Sequence, residues 1–386
     1  MVKFRSGGAA KRWFAKRAAQ TAPTLAALSL GFMASALALC AADATNRAPL
    51  AVWDVTVRAS VGGGYRDNVL RTSVAPKGSA LFTAAADASF IRLSESGSQL
   101  TFFLMGEDTR YLDSVGVEKE QFFMGRAQLG VPVGARGELG SDAQYLYQHQ
   151  IIDVSETEAN LRSILVEGHG VTFLPYWKHK LGDGWTVQLE GGMDRQFYMR
   201  ELDDFWEGQG KLSLLRSYGR RSELSVSYQS KHRWYDSREQ FDPGGVALTN
   251  TSLVYWQQEV ATQWRHYWDA GRHWRTTTKA SFMLNRDNGS GYFDYDRVLF
   301  SEQLRWRNHG WEARANARFG WYFYDTQRIE GEGRERSYCL LDLRVERQLG
   351  KHWFVYATAE HDWNWSNDPL DTYRVWMAGG GLGAEF

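Results

Sequence analysis

Two acid–imidazole pairs are the first places to look for covalent chemistry in this chain: His361 beside Asp362, and His232 four residues before Asp236. Hydrolysis needs such a base to converge with an acid and a nucleophile. In an extended chain neighbouring side chains leave on opposite faces, so His361 and Asp362 do not share a site, and no nucleophile motif flanks either histidine. The acidic run RDNGSGYFDYD (286–296) carries carboxylates for a cation but lacks the ligand spacing of an EF-hand. No catalytic residue, metal or cofactor is therefore expected. Cys339 falls in an alternating apolar set and reads as a small hydrophobe.

The charges carry a stronger pattern, electrostatic rather than covalent. Lys231, Arg233, Arg265, Arg275, Lys279, Arg305, Arg314, Arg318 and Arg344 fall on the polar side of alternating segments in the second half of the chain. Asp87, Glu107, Asp142, Glu190, Asp194, Glu207, Glu360 and Asp362 fall on the polar side of the others. If these faces close around water, a basic wall opposes an acidic wall, and the field between them orients polar solutes. The competing expectation is that the charges pair across strands and fill the interior. Tyr235, Tyr255, Tyr322 and Tyr324 would add an aromatic track for sugar rings.

Placing those side chains requires strands. In WEARANARFGWYFY (311–324) every odd position is apolar, and the even positions are Glu312, Arg314, Asn316, Arg318, Gly320, Tyr322 and Tyr324. Such period-two patterning gives one apolar and one polar face, and at about 3.3 Å per residue the stretch runs ~45 Å. About sixteen such segments follow one another, centred near 58, 86, 105, 126, 145, 170, 191, 211, 229, 260, 280, 301, 318, 341, 358 and 379. Two positions resist the pattern: Glu302 falls on the apolar side of VLFSEQLRW, and alternation sets no clear register over 162–176.

The breaks alternate in kind. GARG, LGDG, YGRR, DAGR, RNHG and LGKH are tight, whereas DNVLRTSVAPKGS, REQFDPGGVALTNTS and SNDPLDT are longer and polar. Tryptophans follow the tight turns at Trp185, Trp274, Trp311 and Trp353, marking one edge with aromatic rings, and Trp376 and Phe386 lie on the apolar face of the last segment. A soluble sandwich uses shorter strands and has no reason to place aromatics at their ends. A transmembrane barrel needs long strands, aromatic girdles, short periplasmic turns and longer external loops. Hydrocarbon offers backbone groups no partner, so the sheet must close. The last segment, YRVWMAGGGLGAEF, is expected to pair with DVTVRASVGGGY as the seam.

The remaining composition is consistent with that class. The chain has 386 residues, 14% aromatic, with 17 tryptophans, seven prolines and a formal net charge of zero, which points away from a nucleic-acid partner. A basic start, the apolar run TLAALSLGFMASALAL and ADA at 42–44 read as a cleaved signal peptide over 1–44, followed by a short periplasmic segment over 45–52 and a barrel over 53–386. Leu39 before Cys40 argues against lipidation.

On these residues the chain resembles bacterial outer-membrane β-barrel proteins of the porin-like kind, whose final strand commonly ends in an aromatic read by the barrel-assembly machinery. GGGYRDNVLRTS followed by GSALFTAAADASF looks like the opening of outer-membrane barrels linked to exopolysaccharide export, departing from it at Arg66. The resemblance implies an all-β, antiparallel up-and-down barrel in outer-membrane lipid and a channel for small hydrophilic or saccharide solutes. The alternatives are a non-conducting structural or adhesive barrel, and a hydrolase at the rim. General trimeric porins fold a long third loop into the lumen. The longest connections here, 67–78 and 237–251, are short for that, so either the pore is wide, or loops and lumen side chains constrict it differently.

Overall fold

The computed structural model describes residues 53–386 apart from 95, 96, 114, 115, 157, 159–162, 201 and 220. The expected signal peptide over 1–44 and the segment 45–52 lie outside the described residues. The strands are β1 (Trp53–Arg66), β2 (Ser79–Leu93), β3 (Gln99–Tyr111), β4 (Lys119–Val133), β5 (Gly137–Asp153), β6 (Ser163–Gly182), β7 (Trp185–Tyr198), β8 (Phe205–Tyr218) and β9 (Ser222–Tyr235). They continue, after two short strands β10 (Gln240–Phe241) and β11 (Ala247–Leu248), with β12 (Val254–Tyr267), β13 (Trp274–Asp287), β14 (Tyr295–Asn308), β15 (Trp311–Ile329), β16 (Glu332–Leu349), β17 (Trp353–Ser366) and β18 (Tyr373–Glu385).

Sixteen of these close into one antiparallel barrel in chain order, while β10 and β11 pair only with each other in the loop between β9 and β12. Closure is at the expected seam: β1 pairs with β18, Arg58 opposite Glu385 and Arg66 opposite Met377. Val57 and the terminal Phe386 exchange backbone hydrogen bonds of 3.0 and 2.9 Å, so the chain end has no frayed edge.

Alternation decides which face is which. Leu189, Leu212, Tyr228, Val260, Phe282 and Val298 form one cross-strand row from β7 to β14, and each is more than a third exposed. Continuous apolar surface of this extent is untenable in water and is the natural face for hydrocarbon. The chain is therefore a transmembrane β-barrel of the outer-membrane type, polar face inward.

Tight turns define one end. Asp183–Gly184 and His309–Gly310 both take positive φ at each residue (49° and 80°; 47° and 75°), the geometry that matches a two-residue hairpin to strand twist. Trp185, Trp274, Trp311 and Trp353 begin the strands that leave this end, and Phe386 stacks on His352 there at 5.3 Å. Trp376 sits toward the opposite, loop end of β18.

Two glycines at the seam, Gly62 and Gly383, face rings rather than lipid. A Cβ at Gly383 would lie 2.1 Å from the Phe354 ring, which is itself buried under the Arg58 guanidinium at 4.0 Å. Gly383→Val is expected to lower stability by ~1–3 kcal/mol through overpacking, read from the urea unfolding midpoint in lipid vesicles. Gly191→Val, where a Cβ meets only ordinary contact at 3.6 Å, should leave the midpoint unchanged.

Candidate functional site

The barrel's interior is organised at two levels. At the loop end, the extended tip of the β5–β6 hairpin leans into the lumen. Ile151 packs with Val69, Leu81, Tyr111 and Val117 from the wall and connections of β1–β4. Beyond it the tip reaches the far wall: Asp153 pairs with Arg336, Glu156 accepts a hydrogen bond from the Tyr322 hydroxyl, and the Ser155 carbonyl accepts one from Arg334 at 3.0 Å. In ring order β5–β6 and β15–β16 are diametrically opposed, so these contacts span the mouth. The Glu158 carboxylate meets Arg238, from the β9–β12 loop, at 2.7 Å.

The anchor on the far wall is unusually dry for a charged group. Arg334 has a fully buried side chain and holds Asp371 at 2.7 Å, Gln327 at 2.8 Å and the face of Tyr324 at 4.3 Å. Arg336 beside it donates to Asn364 at 2.9 Å. Next to this wall, on β17, Asp362 lies 3.6 Å from Arg71 in the β1–β2 loop. Burial alone would lower the pKa of Arg71, but Asp362, with Tyr373, Glu360 and Glu120 behind it, holds it above the ordinary arginine value.

Toward the turn end the lumen wall carries an arginine row. Arg275, Arg305, Arg314 and Arg344 stand directly opposite one another across β13–β16. Like charges in register repel, and the row persists through shared counter-charges. Glu312 meets Arg305 at 3.0 Å, Arg307 at 2.6 Å and also Arg314; Gln303 accepts from Arg275 at 2.9 Å; Glu346 serves both Arg344 and Arg58. One carboxylate for three guanidiniums leaves this sector positive.

Strand register places all the charged residues singled out in the sequence on the inward face. Lys231, Arg233, Arg265, Lys279 and Arg318 share the face of the arginine row. Asp87, Glu107, Asp142, Glu190, Asp194, Glu360 and Asp362 occupy it elsewhere in the ring. Pairing across strands is extensive: Lys279 with Glu259 at 3.5 Å, Arg265 with Glu223 at 3.3 Å, and Asp142 with Arg126 at 2.8 Å. Glu207 does not join an acidic wall, because Lys231 and Arg233 both hold it at 2.8 Å.

Two expectations are corrected here. Tyr235, Tyr255, Tyr322 and Tyr324 point inward but are each under a tenth exposed, packed against Phe205, Phe293, Tyr295 and Met283 at the loop end, so they form no open track. A third loop does enter the lumen; it is short, and the strands that carry it supply the reach. In the acidic run, Asp287 spends its oxygens on the N–H groups of Gly289, Gly291 and Phe293 at 2.8–3.0 Å, which shapes the loop itself. As for the histidines, His232 packs tilted against Trp234 with ring centres 4.5 Å apart and His361 against Trp376 at 4.0 Å, both on the outward face, while Asp236 is held by Arg195.

No known family profile matches this sequence, and no curated protein matches it either. Solved structures do superpose on it. OccAB1 of Acinetobacter baumannii aligns over 86% of this chain and 97% of its own, at 7% identity and a TM-score of 0.44. An anion-selective porin from Comamonas acidovorans aligns over 87% and 100%, at 10% identity and a TM-score of 0.46. OprD of Pseudomonas aeruginosa aligns over 86% and 95%, at 10% identity and a TM-score of 0.43. These are loose superpositions, and no residue role passes from them to this chain.

Proposed function

We propose that the barrel is an outer-membrane channel for small hydrophilic solutes, throttled at its loop end by the β5–β6 hairpin and biased toward anions by the arginine row. The observation that carries the reading is the hairpin clamp itself: Asp153, Ser155 and Glu156 held on Arg336, Arg334 and Tyr322 across the mouth. Beneath it the wall is polar, with Ser225, Ser227, Gln229 and Gln263 lining a recess beside Lys211 and Lys279. Four guanidiniums in one row raise the local concentration of anions, and Glu107 on β3 faces them across the ring. The opening motif's likeness to exopolysaccharide-linked barrels adds acidic saccharides to the solute class. The tryptophans at 185, 274, 311, 353 and 376, with Phe386, anchor the barrel at the lipid headgroups, and β18 with the Phe386 that follows it is the segment offered to the assembly machinery.

Planar-bilayer recording tests this reading. The wild-type barrel should give steady steps with a reversal potential on the anion side under a salt gradient. Arg305→Glu with Arg314→Glu should move that potential to the cation side, with step size changed less than about twofold. A folded barrel that stays silent supports the second reading, a barrel closed at rest, which the buried tyrosines of the loop end favour.

A further inference from the structure

Three arginines on the lipid face stand at the turn end, each directly opposite a tryptophan of the neighbouring strand: Arg92 opposite Trp53, Arg216 opposite Trp185 and Arg347 opposite Trp311. In each pair the guanidinium lies over the indole, 5.9, 5.2 and 5.0 Å from the ring centre. Among the described residues none of the three has a carboxylate within ion-pair distance. The Arg92 Nε has no hydrogen-bond partner, and Arg347 donates one hydrogen bond, to the His309 carbonyl at 2.7 Å. No described Asp or Glu faces outward at this end of a strand.

The loop end is built otherwise. There the outward guanidiniums of Arg110, Arg195 and Arg286 are held by Asp108, Asp236 and Asp296 at 2.6, 2.6 and 2.7 Å. Arg374, 5.5 Å over Trp376 on its own strand, is the exception. The turn end thus carries positive charge that the protein itself does not neutralise.

Tryptophans at a barrel's rim sit at headgroup depth, where the available anions are lipid phosphates. A guanidinium binds phosphate through two parallel N–H donors, and an indole beneath it fixes the plane of that fork without using a donor. A headgroup of net negative charge gains more from such a cation than a zwitterionic one, whose own ammonium competes for the phosphate. β2, β8 and β16 are nowhere adjacent in the ring, so each pair acts as a separate seat.

We propose that these three indole-backed arginines seat the phosphates of anionic glycerophospholipids in the leaflet at the turn end, one lipid to each pair.

Native mass spectrometry of the full barrel, released from vesicles of phosphatidylglycerol and phosphatidylcholine in equal amounts, tests the seats. The wild-type chain should retain phosphatidylglycerol with a preference of about fivefold at each seat. Arg92→Gln, Arg216→Gln and Arg347→Gln should each lower the number retained by one, and the triple variant should keep little of the preference. The same loss of charge taken from the inward face, by Arg126→Gln with Arg265→Gln and Arg318→Gln, should leave retention as in wild type. Each variant is first shown to be folded by its heat-resistant migration on gels. Equal retention of the two lipids by the wild-type chain, or a triple variant that keeps the full preference, would overturn the proposal. Equal losses in the outward and inward triple variants would also overturn it, because net charge rather than the paired arginines would then select the lipid.

Discussion

A chain in which a two-residue turn joins Ile151 directly to Leu165 is expected to pass on the order of tenfold more current per channel than the intact barrel. Ile151 and Leu165 are register partners, so the excision leaves the hairpin in phase and the barrel strands unshifted. What it removes is the tip that crosses the mouth, with the carboxylates of Asp153 and Glu156. Arg336 and Arg334 then face water at the entrance, so the reversal potential should also move further toward anions. Unchanged step size would mean that the tip does not set the resistance.

Arg334→Ala is expected to cost ~3–5 kcal/mol, the largest loss from any single side chain in the barrel, because it leaves the buried Asp371 carboxylate with only Arg336, 3.9 Å away, as counter-ion. Both side chains are almost wholly inaccessible, and Asp371 is also tied to Asn364, so little relaxation is available. Replacing both partners, Arg334→Leu with Asp371→Leu, should recover most of the loss, since an apolar pair of similar bulk leaves no orphaned charge. The urea midpoint in vesicles reads both variants. A single variant as stable as wild type would show that water reaches Asp371.

Period-two patterning made the strands legible because lipid and water impose opposite demands on successive side chains. Each of the sixteen centres expected from alternation falls inside a barrel strand, and the seam joins the two segments expected to meet. Glu302 was legible as an exception for the same reason.

The clamp was not legible. β5, β6, β15 and β16 run 17, 20, 19 and 18 residues, while most of their neighbours run 13 to 15. Their ends project past the lipid, where nothing enforces an apolar face, so alternation gives Arg334 and Arg336 no assigned place. Loss of register over 162–176 was the one trace of this in the sequence. Burial of Tyr322 follows in part from the same projection, since the folded-in tip meets it, and no local pattern encodes a contact across the ring.

Whether water fills the inside and lipid the outside can be read from one pair of neighbouring residues. Ser227 points inward and Tyr228 outward on β9, at nearly the same depth. With Cys339→Ala as background, a charged, membrane-impermeant thiol reagent should label Ser227→Cys in intact vesicles and spare Tyr228→Cys. Labelling of Tyr228→Cys with Ser227→Cys left unmodified would mean that the barrel is inside out to this description, and neither the channel nor the clamp would stand.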